Sequence, residues 1–408
     1  MTSTSASAEG DGSRPVRRMR ARHRDEAHRA ATPLELFFDL CFVVAVGQAG
    51  LQLVHALAEG HVSEGVVGYL YVFFGVWWAW INFTWFASAY DCDDVPYRIA
   101  TLVQICGVLI YAAGVPRAFA DNDWTIAVVG YVVMRIALTV LWLRAAAAEP
   151  PGPARGTALM YAAGLVVCQA AWIALLAAPD GAKRWLFPAV AAAEMLVPVI
   201  AEHRHQTPWH PHHIAERYGL FTIIVLGETM FAATIGVQSA LGSVVKVGEL
   251  APIASGGILI IFSAWWIYFA VPAHERLRGN REAIPWGYGH FLIFASAAAI
   301  GAGLEVAVEQ SVGEAHISTF AASAAVTVPT ALFLLTLWYL HARHFKRTTA
   351  EQLLLPVSVP AILACTFAGH AAVLSAGLVA AATVAAGVAL ASRNPESAQP
   401  PDHPELEV

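Results

Sequence analysis

Apolar stretches of roughly 17 to 25 residues recur along almost the whole chain, and each is long enough to cross a hydrocarbon core of about 30 Å as a helix. A soluble fold would break such stretches with charges. Only 13% of the 408 residues are charged while 57% are hydrophobic, and the mean hydropathy is +0.56. That composition needs lipid as its solvent. The chain is therefore expected to be an all-α polytopic membrane protein of about twelve transmembrane helices, a multi-pass protein of the cell membrane with the lipid bilayer as its principal partner. A formal charge of −6, with cations clustered at span ends, implies no nucleic-acid partner. The five cysteines lack CxxC spacing and read as small core residues.

Cationic loops resist translocation, so the distribution of Lys and Arg orients the spans. Of the 24, 19 fall in the N-terminal arm and on one set of alternate connections, including Arg98, Arg144, Arg155, Arg204, Arg276, Arg281, Arg343 and Lys346. The other side holds Arg117, Lys183, Arg184 and Lys246, and Arg135 lies inside a span. Both termini are expected to be cytoplasmic. Residues 1–31 read as a disordered basic arm, and 393–408 as a Pro-rich, acidic, disordered tail.

Between the ends, the chain repeats itself. Trp77-Trp78 is matched by Trp265-Trp266, Pro96 by Pro285, Leu141-Trp142 by Leu337-Trp338 and Glu35 by Glu216. This suggests two six-helix repeats, 32–202 and 214–392, joined by a His-rich connector at 203–213. An even number of crossings per repeat makes the two parallel, related by an axis along the membrane normal. The ninth span is expected near 287–306. The region 353–392 reads either as two spans broken in the middle or as a re-entrant segment.

Several residues in this frame can carry chemistry. Thr32-Pro33-Leu34-Glu35 is a capping-box start, which accounts for Glu35. Asp39 lies one turn further on the same face, either as a proton or cation site or as partner to an arginine such as Arg98. Arg135, Glu194 and Glu228 fall near mid-span, where a charge is costly unless it pairs, titrates or faces a polar interior. Pro198 frees the Glu194 carbonyl and kinks the helix beside its carboxylate. The connector carries His203, His205, His210, His212 and His213, with Glu216 and Arg217 just beyond. His212, His213 and Glu216 have the spacing of weak metal-ligand candidates, and a solvated interfacial connector accounts for them equally. No GxSxG, P-loop or GxGxxG is present, so no cofactor is expected and an enzyme is the minority reading.

The segments TPLELFFDLCFVVAVGQ and HHIAERYGLFTIIVLGET resemble the two hallmark segments of the low temperature requirement protein A (LtrA) family of bacterial membrane proteins. The resemblance covers about Thr32 to at least Arg347 and implies a polytopic membrane protein linked by name to growth in the cold. It points to Glu35, Phe38, Asp39, His213, Glu216, Arg217, Gly227 and Glu228. The Phe37-x-Asp39-x-x-Phe42-x-x-Ala45 run also resembles the first-helix motif of endolysosomal-type potassium channels, although Glu35 stands where those carry an arginine.

Three functions follow as expectations. The first is a secondary, proton- or ion-coupled transporter of a small solute or ion, with a site lined by Glu228, Glu194 and Arg135. The second is a cation channel constricted at Phe38 or Asp39. The third is a metal-dependent membrane enzyme acting on lipid through the histidine connector.

Overall fold

The computed structural model describes residues 15–22, 30–241, 247–346 and 348–393. Among these the regular elements are all helical: α1 (Pro33–Ala58), α2 (Val62–Tyr90), α3 (Val95–Ala120), α4 (Thr125–Ala148), α5 (Pro153–Leu176) and α6 (Asp180–Ala201). They are followed by α7 (Pro211–Leu241), α8 (Val247–Tyr268), α9 (Asn280–Val312), α10 (Thr319–Leu337), α11 (Thr349–Ala364) and α12 (Ala372–Arg393).

Eleven helical runs are long and apolar enough to cross a membrane, and the last, Thr349–Arg393, is 45 residues long. One crossing needs about 20. The run breaks at Gly369, whose φ of 58° and ψ of −131° suit a residue without a Cβ. Beyond it α12 folds back on α11, and Ser358 and Thr383 share a hydroxyl hydrogen bond of 2.7 Å across the hairpin. The region 353–392 is thus two arms joined by a sharp turn, within the last of the eleven runs among the described residues.

The molecule divides into two compact units, one drawn from 1–45 and 74–220 and the other from 46–73 and 221–408. The boundary falls inside α1, α2 and α7 rather than in the connector.

In the first unit, α3 and α4 approach backbone to backbone, since a Cβ on Gly107 would press on the Gly130 carbonyl and one on Gly130 on the Gly107 carbonyl. Small residues serve this purpose where helices meet in lipid. Asp94 caps α3 by accepting from Tyr97 N at 3.0 Å, and it also takes a guanidinium hydrogen bond of 2.8 Å from Arg144. Burial opposes ionisation of Asp94, but these donors and the Arg17 N–H outweigh it and hold the carboxyl at about 2.

Arg17 belongs to the arm expected to be unstructured, and over 15–22 that expectation is corrected. Val95 N–H donates to Pro15 O at 3.1 Å and Arg22 N–H to Ala89 O at 2.9 Å, while Met19 is buried. Arg18 Nε donates to Ala148 O at 3.0 Å, where the last carbonyls of α4 lack helical partners. The rest of the arm, 1–14 and 23–29, and the tail 394–408 lie outside the described residues.

In the second unit α9 runs well beyond the expected 287–306, to 33 residues, and takes in Glu309 as well as Glu305. The matched tryptophan pairs differ in environment: Trp77 and Trp78 are buried, whereas Trp265 and Trp266 are exposed.

The topology has a direct check. With a membrane-impermeant thiol reagent applied to intact cells, His205→Cys is expected to stay unmodified and Lys183→Cys to react, both scored over the background of the native cysteines. The opposite pattern would reverse the orientation.

Candidate functional site

The two hallmark-like segments meet at the starts of α1 and α7. Each helix opens on a proline, Pro33 or Pro211, whose fixed φ suits the first helical position. Four residues separate Glu35 from Asp39 and His213 from Arg217, so each pair shares one helix face.

Arg217 donates to Asp39 through Nε at 2.8 Å and Nη2 at 2.5 Å, and its Nη1 lies 3.1 Å from Glu35 Oε1. His213 Nε2 is 3.2 Å from the same Glu35 oxygen, and Trp80 Nε1 donates to Asp39 Oδ1 at 2.6 Å. All four ionisable side chains are fully buried. Because Glu35 faces His213 and Asp39, one turn on, faces Arg217, the two helices run parallel here. They enter the membrane from the same side, as an even number of crossings between them requires.

The capping box holds, with Thr32 N donating to Glu35 Oε2 at 2.8 Å and Glu35 N to Thr32 Oγ1 at 3.3 Å. Capping is nevertheless only part of what Glu35 does. Asp39 finds its partner in Arg217, whereas Arg98 pairs with Asp93 at 2.7 Å. Two carboxylates, one guanidinium and one imidazole thus meet in a single buried cluster. Phe38 packs on Phe42 and Phe83 at ring distances of 4.6 and 4.1 Å, so both residues of the expected constriction are enclosed by neighbouring side chains.

A second buried group lies in the same unit. Arg135 Nη2 is 3.3 Å from Glu194 Oε1, and Glu194 Oε2 accepts from Tyr131 OH at 2.8 Å and Trp172 Nε1 at 2.9 Å. Arg135 also bonds to the Tyr131 hydroxyl. The expected association of Arg135 with Glu194 is therefore present.

Glu228 belongs to the second unit, half-buried, with its carboxylate against Gly47 of α1; a Cβ on Gly47 would overlap Oε1. Glu305 and Glu309, one turn apart on α9, are half-buried as well. Among the described residues no cation forms an ion pair with any of the three. Glu305 lies inside the expected ninth span without being singled out, and Glu309 lies just past its expected end. Their one-turn spacing was the available signal.

The connector histidines do not gather into a ligand set. His213 turns inward to Glu35, His212 is exposed, and Glu216 accepts from Ala31 N at 3.2 Å. Among the described residues no group of three His, Cys, Asp or Glu side chains has the arrangement to hold a metal ion.

The family described as bacterial low temperature requirement A protein (LtrA) matches residues 30–391. An uncharacterized protein of Rhizobium meliloti (strain 1021) is 29% identical over 243 residues, which are 58% of this chain and 57% of that protein. No solved structure matches.

Proposed function

Since the chain belongs to the bacterial low temperature requirement A family, whose match covers nearly all of it, we propose that this multi-pass membrane protein is a secondary transporter of a small solute or ion, driven by the movement of protons or cations.

The observation that carries the proposal is a contrast between the units. In the first, each buried arginine meets carboxylate: Arg135 meets Glu194, and Arg217 meets Asp39 and Glu35. In the second, Glu228, Glu305 and Glu309 lie within membrane-spanning helices and pair with no cation among the described residues. A carboxylate at that depth needs a counter-charge, and solution supplies it as a proton or an exchangeable cation. Protonation and release at such groups is the elementary step of ion coupling.

Purified protein in liposomes under an imposed potential, with a pH-sensitive dye inside, is expected to take up protons or, with the matching indicator, a monovalent cation. Glu305→Gln removes a charge without changing shape and is expected to lose most of that flux. Flux no greater than in empty liposomes for H⁺, Na⁺ and K⁺ alike would refute the coupling.

A further inference from the structure

At the junction of α8, α10, α11 and α12 the second unit has a cavity of about 280 Å³, near the lower end of the range typical of small-ligand sites. Its walls are mostly apolar, with Trp266 and Ile267 from α8, Leu354 from α11 and Val384 and Val388 from α12. Its polar members are His341, Lys346, Glu351 and Thr383.

His341 lies in a π-helical turn, Trp338–Ala342, that ends α10. Such widened turns recur at functional positions. A chain of hydrogen bonds sets the tautomers around it. His290 Nδ1 is 2.8 Å from the Trp286 carbonyl and therefore carries the proton, leaving Nε2 to accept from Tyr268 OH at 3.2 Å. Trp286 Nε1 donates to His341 Nε2 at 3.0 Å, so the His341 proton sits on Nδ1. That Nδ1 is buried and has no hydrogen-bond partner among the described residues, while its ring lines the cavity. An unused buried donor calls for an acceptor.

The charges specify what kind. Glu351 accepts from Thr348 N at 3.2 Å and Thr348 Oγ1 at 2.9 Å and so serves to cap α11. Lys346 lines the cavity. Arg276 reaches the same helix end, donating to Leu340 O at 3.0 Å, and Arg343 lies 3.7 Å over the Tyr339 ring. Lys346 is thus the one cation lining the groove, beside a carboxylate already engaged as a cap, with Arg276 and Arg343 at the same helix end. We propose that the groove binds an anionic phospholipid of the surrounding bilayer, its phosphate at Lys346, an acceptor oxygen on His341 Nδ1–H and the upper part of one acyl chain along α8 and α12.

Two variants test this without disturbing the buried histidine. Gly387→Leu places a side chain in the groove, and its first added atom meets only the end of Leu354 at 3.4 Å. Lys346→Gln removes the cation. Full-length protein in mild detergent is titrated with phosphatidylglycerol or phosphatidylcholine, and retained lipid is read by native mass spectrometry, with a thermal melt confirming the fold. Wild type is expected to hold one phosphatidylglycerol and to discriminate against phosphatidylcholine. Lys346→Gln should bind about tenfold more weakly, the loss of one hydrogen bond to a charged group, and Gly387→Leu should retain none. Equal retention of the two lipids by wild type, or undiminished phosphatidylglycerol on folded Gly387→Leu, overturns the proposal.

Discussion

Arg217→Met is expected to destabilise the protein by about 3–5 kcal/mol, the cost of removing one partner from a buried ion pair. The side chain is fully enclosed and lies against both Asp39 and Glu35. Without it Asp39 keeps the Trp80 indole N–H, and Glu35 keeps His213 and its own cap. One neutral hydrogen bond does not offset a carboxylate held away from water. The paired change Arg217→Met with Asp39→Leu removes both charges and should recover most of the loss, because apolar side chains often replace a buried ion pair at little cost. Thermal melts of the purified variants in mild detergent decide the matter. A single variant that melts with wild type would mean that the cluster contributes nothing to the fold.

This cluster also shows how far local sequence rules reach. The capping box at Thr32 and Glu35 was legible because it depends on residues three apart, and so was the need of Arg135 for a carboxylate, because a buried guanidinium demands one. The partner of Asp39 was not. Arg217 follows it by 178 residues, and only the parallel entry of α1 and α7 brings the two together. Glu35 follows the same rule, since its capping role is local whereas its approach to His213 and Arg217 is tertiary.

The spans themselves were legible as apolar runs, and Gly369 marks the break in the last one. Where charge interrupts hydrophobicity the reading fell short. The expected ninth span stopped at 306, short of Glu309, and the arginines of the arm suggested disorder where Arg17 reaches Cys92 and Asp94 just before α3 and Arg18 the end of α4. The Trp265-Trp266 pair shows the complementary limit: a repeated pair of side chains carries no information about which face is covered.

Glu228→Gln is expected to abolish coupled flux while leaving the protein folded. Glu228 lies far past the start of α7, beyond any capping role, and among the described residues it has no ion pair that the substitution would break. Glutamine keeps the shape and removes a charge that is costly at this depth, so the melting temperature should hold or rise. Glu35→Gln should behave in the opposite way, because it takes a charge from a buried cluster with Arg217 and His213 and should cost stability first. A steric probe separates charge from position. Gly47→Ala puts a methyl group where the Glu228 carboxylate now lies and forces that carboxylate to shift, so it should impair flux with the charge intact. Each variant is assayed in the same liposomes as wild type, with a melt run alongside. A folded Glu228→Gln protein with wild-type flux would remove Glu228 from the coupling pathway.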